Sequence, residues 1–348
     1  MTNNKQTAVV VCPGRGTYNK SELGYLARFH SDKSAFIERI DVQRKINGQP
    51  LIAELDRAEK FSLAKHTAGE NASSLIYACA ACDFADINRD KYDIVAVTGN
   101  SMGWYIALAV ANALNTDNAA RLINTMGSMM KGGVVGGQLI YPIVDENWQA
   151  DPNRIMLIND LIEDASKQES DIRLYWSINL GGYAVLGGSQ AGLKFAHSRL
   201  PMIDNTYPMQ LFNHAAFHTP LLSSVSEQAM KEMEASIFNA PDVPLIDGEG
   251  HIWQPHSADS HALWKYTLDT QVRETYNFTK AIEVAIKEFA PEKIIVTGPG
   301  TTLGGAIGQS LVKFQWQGMA SKADFISKQK TSPFLLSMGI PQQRELVI

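Results

Sequence analysis

The sequence predicts an α/β fold: a large domain built on a parallel sheet, interrupted by a small α+β insert. Three observations carry this. Short β-branched runs alternate with longer segments of helical spacing, glycine-rich breaks follow the runs, and the texture changes between roughly residues 132 and 201. At 348 residues, with 45% hydrophobic and 19% charged side chains, the chain has the composition of a globular protein with a sizeable core. A formal net charge of −5 supplies no basic field for nucleic acid or an anionic membrane. No apolar run nears the roughly 20 residues of a spanning helix, and Met1 to Gln6 lacks the apolar core of a signal peptide. The expectation is a cytoplasmic protein.

Taken in order, Ala8 to Cys12 reads as a buried strand, broken by Pro13-Gly-Arg-Gly-Thr17. That loop lacks the G-K-[ST] ending of a P-loop, so it is read as presenting backbone N–H groups at the strand end, where α/β sheets bind ligands. Residues 20–90 are mostly polar helix and loop, with apolar residues at helical spacing around Leu51 to Phe61 and Leu75 to Phe84. Cys79 and Cys82 lie in the second of these; a single C-x-x-C supplies two of the four ligands that structural zinc needs, so they read as small buried side chains.

The stretch that organises the rest is Tyr92 to Ala107. Ile94 to Thr98 is a β-branched run, and a helical pattern begins at Met102 and reaches Leu114. Between them stands Gly99-Asn-Ser-Met-Gly103, a G-x-S-x-G at a strand-to-helix junction. The pattern alone arises by chance in roughly one chain in ten of this length, so its context carries the argument. A sharp turn there exposes the Ser101 hydroxyl above the strand end and aims the Met102 N–H at a developing oxyanion. Asn115-Thr-Asp117 offers a cap for a helix from Asn118 to Lys131, and Gly132-Gly-Val-Val-Gly-Gly137 marks a boundary.

Beyond it come a strand (Gln138 to Val144), a helix (Asp151 to Lys167), two strands about a glycine turn (Tyr175 to Gly188) and a helix from Gln190 to Leu200. The large domain resumes after Tyr207, with a helix from Phe278 to Phe289, a strand from Lys293 to Thr297, and a tail after Lys313 that shows no clear pattern. Serine needs a positioned base, and the chain has eight histidines. His218, in the proline-punctuated apolar turn Ala215 to Leu222, is the leading candidate, with His214 its rival.

Several ordered segments resemble the malonyl-CoA:acyl-carrier-protein acyltransferase family. Val11-Cys-Pro-Gly-Arg-Gly16 is similar to F-P-G-Q-G, Gly99-Asn-Ser-Met-Gly-Trp-Tyr105 to G-H-S-L-G-E-Y, and Ala216-Phe-His-Thr-Pro220 to A-F-H-S-P. Asn179 to Gly188 resembles the small-subdomain motif N-x-P-x-Q-V-V-x-x-G without its proline and glutamine. Asn277-Phe-Thr-Lys280 falls where Q-W-T-K is frequent, and Ile294 to Gly300 matches a late G-P-G segment.

The resemblance implies an α/β hydrolase-like large domain (1–131 and 202–348) with a ferredoxin-like insert (132–201). It implies Ser101 as acylated nucleophile, His218 as base, the Asn277 main-chain carbonyl as its orienting group, and the N–H groups of Met102 and Arg15 as oxyanion hole. It further implies ping-pong transfer from acyl-CoA, a substrate, to the phosphopantetheine thiol of an acyl carrier protein, with no permanently bound cofactor, no metal and no nucleic-acid or membrane partner.

The departures concern the acyl pocket, whose expected substrate-binding residues are Met126, Asn100, Trp104, Phe217 and Asn179. In Asn124-Thr-Met-Gly127, Met126 stands where the family has its carboxylate-binding arginine; Arg121 is expected to turn away. A neutral acyl group is therefore expected, unless Arg15, in place of the family's glutamine, supplies the missing charge. Two alternatives remain: hydrolysis of acyl-carrier-protein thioesters at the same Ser–His pair, and a non-catalytic docking role.

Overall fold

The computed structural model describes residues 5–129, 133, 135–168 and 171–348. In chain order its strands are β1 (Gln6–Cys12), β2 (Tyr92–Gly99), β3 (Gly137–Pro142), β4 (Leu174–Leu180), β5 (Tyr183–Gly188), β6 (Met209–Gln210), β7 (Leu245–Ile246), β8 (Ile252–Trp253), β9 (Tyr276–Asn277), β10 (Lys293–Val296) and β11 (Leu335–Ser337). They form two sheets, ordered β11-β10-β1-β2-β7-β8 and β6-β3-β5-β4-β9.

The large sheet is parallel from β11 to β7, and only β8 runs the other way. Its central strand β1 is fully buried from Ala8 to Cys12, as expected of a strand covered on both faces. Burying Val9, Val10 and Val11 contributes roughly 1.5–3 kcal/mol each. The helix Gly69–Asp86 is largely buried and carries Cys79 and Cys82, both free thiols within the core. The helix Thr116–Ser128 packs against it, capped by Asn115, whose side-chain oxygen accepts the Asn118 N–H at 2.9 Å.

The small sheet has the split β-α-β arrangement of a ferredoxin-like unit. β3, the helix Pro152–Ser166, β4, β5, the helix Gln190–Arg199 and β6 follow in order, and the strands lie as β6-β3-β5-β4. Asp151 and Ser189 cap the two helices. The unit has its own core, which includes Leu139, Tyr141, Ile158, Leu161, Leu186 and Phe195. The boundary expected after Lys131 lies outside the described residues, and β6 and β9 come from beyond residue 201.

The tail after Lys313 holds more order than its sequence shows. It forms the helix Lys322–Thr331, the edge strand β11 and the helix Pro341–Val347. Arg344 on the last of these meets the buried Asp83 carboxylate at 2.6 Å and fastens the tail to the helix Gly69–Asp86. Among the described residues no helix is long and apolar enough to cross a membrane.

Candidate active site

β1 and β2 run side by side in register, with Cys12 opposite Gly99, so their C-terminal loops emerge together. Backbone meets backbone there. A β-carbon on Gly103 would lie 2.3 Å from the Cys12 carbonyl oxygen, and one on Gly14 2.5 Å from that of Asn100. Only glycine permits either approach. The Asn100 N–H donates to the Cys12 carbonyl at 3.1 Å. Ser101 sits at φ 56°, in the left-handed region that is uncommon for a residue with a side chain. The helix Gly103–Val110 starts at once, its Trp104 N–H returning to the Ser101 carbonyl at 2.9 Å. The N–H groups of Met102 and Arg15, one from each loop, donate to no protein acceptor among the described residues.

The Ser101 hydroxyl lies 2.7 Å from His218 Nε2. On the far side of the ring, Nδ1 lies 2.5 Å from the Gln271 carbonyl oxygen. A carbonyl only accepts, so Nδ1 carries the proton and Nε2 is left to accept from the serine. His218 is buried, at φ 57°, and is held by its own N–H to the Val272 carbonyl at 3.0 Å. Burial lowers its pKa from 6.5 to about 4, against the raising effect of the Gln271 carbonyl. His214, the rival, is bonded instead to Gln138 at 2.8 Å. Burial, helped by the nearby Arg15 charge, lowers the pKa of His214 to about 3.

The orienting carbonyl therefore belongs to Gln271 and not to Asn277. Asn277 lies in β9, paired with Asn179 of β4, and its side chain caps the helix Phe278–Phe289 by accepting the Lys280 N–H at 2.9 Å. The sequence gives no signal for Gln271, because any residue supplies a main-chain carbonyl. Its side chain does more. The amide donates to the Ser101 carbonyl at 3.1 Å and accepts from the Tyr105 hydroxyl at 2.8 Å, so one residue holds both Ser101 and the His218 ring. Tyr276 supports the same turn, its hydroxyl donating to the Gly99 carbonyl at 2.6 Å.

Ser101 and His218 open into a cavity of about 530 Å³ between the two sheets. Met126, Asn100, Phe217 and Arg15 line it. Met126, Phe217, Leu222, Val225 and Val272 form one apolar cluster at its wall. Asn100 is 9% exposed, and its Oδ1 has no hydrogen-bond partner among the described residues. Two expected residues lie elsewhere. Trp104 falls on the core face of its helix, 0% exposed, with its indole N–H on the Thr267 hydroxyl at 3.0 Å and its ring edge-on to Tyr266. Asn179 is excluded by strand parity: Ile178 and Leu180 line the cavity, while the Asn179 carbonyl accepts from Thr279. Arg121 is turned away, paired with Glu234 at 3.4 Å. Among the described residues no cluster of three or more His, Cys, Asp or Glu could hold a metal ion.

No family model matches the chain. Curated sequences do. The chain is 25% identical over 236 residues to the polyketide biosynthesis malonyl CoA-acyl carrier protein transacylase PksC of Bacillus subtilis, covering 67% of this chain and 75% of that protein. It is 22% identical over 209 residues to the malonyl CoA-acyl carrier protein transacylase of the same organism, covering 60% of this chain and 62% of that protein. Under two thirds of the latter's length is thus matched. In fold, the malonyl-CoA:ACP transacylase of Synechocystis superposes with a TM-score of 0.72 at 18% identity, over 98% of this chain and 99% of that one. In sequence the chain is thus similar to malonyl-CoA:acyl-carrier-protein transacylases, and it shares their two-sheet fold.

Proposed function

We propose that this protein is a serine acyltransferase that moves an acyl group from acyl-CoA to the phosphopantetheine thiol of an acyl carrier protein through an acyl-Ser101 intermediate. The observation that carries the reading is the 2.7 Å contact between the Ser101 hydroxyl and His218 Nε2, at a strained elbow opening into a deep cavity. The names of the sequence relatives support the choice of donor and acceptor.

The chemistry follows from the geometry. Ser101 Oγ attacks the thioester carbonyl carbon while His218 Nε2 takes its proton. The Gln271 carbonyl steadies the resulting imidazolium through Nδ1–H. Negative charge gathers on the former carbonyl oxygen, where the N–H groups of Met102 and Arg15 and the N-terminus of the helix Gly103–Val110 receive it. The carbon–sulfur bond breaks, and the proton on His218 passes to the departing CoA sulfur. The carrier's thiol then repeats the sequence in reverse: its proton goes to His218, its sulfur takes the acyl carbon, and Ser101 regains a proton. Water in place of the thiol would make the same site a hydrolase.

The test is intact-mass measurement after mixing the protein with acyl-CoA thioesters, followed by addition of a phosphopantetheinylated carrier protein. The expected result is one acyl adduct on Ser101 that moves to the carrier faster than it is lost to water. An adduct of the same size on Ser101→Ala overturns the assignment of the nucleophile. Release of free acid at an undiminished rate in the presence of carrier overturns the transferase reading.

A further inference from the structure

We propose that Asp83 is a positioning residue for acyl transfer, holding from outside the cavity the main chain that carries the Arg15 N–H. This rests on the acyl-transfer reading above and adds to it a group that touches no substrate. Asp83 is fully buried in the helix Gly69–Asp86 and is not among the residues that line the cavity. Both of its oxygens are engaged. Oδ2 accepts the Gly298 N–H at 2.6 Å and the Tyr25 hydroxyl at 2.8 Å. Oδ1 faces His30 Nε2 at 2.8 Å and accepts from Arg344 Nη1 at 2.6 Å. One carboxylate thus joins the loop after β10, the helix Tyr25–Phe29 and the helix Pro341–Val347.

From Gly298 the contact runs on through main chain. A β-carbon on Gly298 would collide with the Tyr25 hydroxyl and come within 2.9 Å of Asp83 Oδ2, so this N–H reaches the carboxylate only because the residue is glycine. Two residues on, Gly300, at φ 75°, is pressed between two other segments. A β-carbon on Gly300 would overlap the Thr17 carbonyl, and one on Gly339 would overlap the Gly300 carbonyl oxygen. Gly339 follows Met338, whose own carbonyl accepts from Arg344 and from Tyr25, each at 3.3 Å. Thr17 closes the loop after β1: its hydroxyl donates to the Gly14 carbonyl at 3.0 Å, spanning Arg15 and Gly16.

Main-chain atoms in contact have no rotamers with which to absorb a shift, so a displacement of Gly298 passes through Gly300 to Thr17 and to the Arg15 N–H. An oxyanion donor works within roughly 2.7–3.1 Å of the developing charge, and a misplacement of about 1 Å costs on the order of 100-fold. Asparagine at position 83 would keep the shape of aspartate with a single acceptor oxygen. Whichever way its amide points, an NH2 group meets either the Gly298 N–H or the Arg344 guanidinium, donor against donor.

The test loads the full chain with whichever of malonyl-, acetyl- and butyryl-CoA acylates wild type fastest. Acylation and transfer to a phosphopantetheinylated carrier protein are followed by quenched intact mass. Asp83→Asn is expected to lower the maximal rates of both half-reactions in parallel, by about 10- to 100-fold, because both pass through the same oxyanion. Half-saturation by the acyl-CoA is expected to change by less than about threefold. Gly339→Ala, which presses on Gly300 and leaves the polar cluster intact, is expected to give the same pattern. Val347→Ala removes buried carbon from the tail helix outside this chain of contacts; it is expected to lower the urea midpoint and keep both maximal rates within about twofold. Maximal rates within about threefold of wild type in Asp83→Asn or Gly339→Ala overturn the inference. So does a Val347→Ala rate that falls as far as theirs. Should Asp83→Asn fail to fold, Gly339→Ala and Val347→Ala decide. Absence of any adduct on wild type from all three thioesters refutes the acyl-transfer reading itself, a result distinct from wild type and variants acylating at equal rates.

Discussion

If His218 is the base and its pKa is lowered from 6.5 to about 4, acylation should stay fast well below the pH at which ordinary histidines stop working. The base must be neutral to take the serine proton. At pH 5.5 a histidine of ordinary pKa is neutral in only about a tenth of molecules, whereas one titrating near 4 is neutral in about 97%. The second-order rate constant at pH 5.5 should therefore remain within about 10% of its value at pH 7.5, and its acid limb should have a midpoint near 4.

Stability moves the other way. The folded pKa values of His218 and His214 both lie below the unfolded value near 6.5, so the unfolded chain takes up protons that the folded chain refuses. Stability is full above about pH 6.5 and declines as pH falls towards 4 and then 3, by up to ~1.4 kcal/mol per pH unit for each histidine. The assay is therefore a pH jump. Protein held at pH 7.5 is mixed with acetyl-CoA, whose acyl group does not titrate, and quenched before unfolding begins. An acid limb with a midpoint near 6.5 would refute the buried-base argument.

The remaining predictions concern the residues around the base. His218→Ala should slow acylation by about 10²–10⁴-fold, while His214→Ala, which loses a bond to Gln138 and no contact with Ser101, should cost less than about tenfold. Single-turnover kinetics on both variants would decide, and the reverse order would mean the wrong base. Gln271→Ala keeps its main-chain carbonyl but strips partners from the Ser101 carbonyl and the Tyr105 hydroxyl. It should cost roughly 2–4 kcal/mol of stability in urea titration and lower kcat far more than it raises KM. An unchanged kcat would show that the side chain is not holding the elbow.

What the sequence reveals of this site depends on where the chemistry is written. The elbow is legible because its glycines, its serine and the change of hydrophobic period are all side-chain signals. His218 is legible through its fixed apolar turn. Its orienting carbonyl is not, since it lies at the end of a short π-helical turn, Tyr266–Thr270, followed by Gln271–Arg273, and any residue there would offer the same oxygen. Trp104 and Asn179 were assignable to the neighbourhood of the pocket but not to a face of it. Helix phase and strand parity send one into the core and the other away from the cavity. The two- and three-residue strands β6, β7, β8, β9 and β11 are too short to show alternation; they exist only through pairing, β8 with its chain neighbour β7 and the others with partners distant in the chain.

The glycine contacts between the two loops have a consequence for how such a site diversifies. Cys12, Gly14, Asn100 and Gly103 meet through main-chain atoms, so the spacing between the Met102 and Arg15 N–H groups is set without reference to the side chains at positions 15 and 102. The part of the site that answers to the reaction is thereby insulated from the part that answers to the substrate. Positions 15 and 102 can exchange one side chain for another while their amides stay where the main-chain contacts hold them. The side chain of Arg15 can thus line the cavity while the main chain of the same residue keeps its place in the loop.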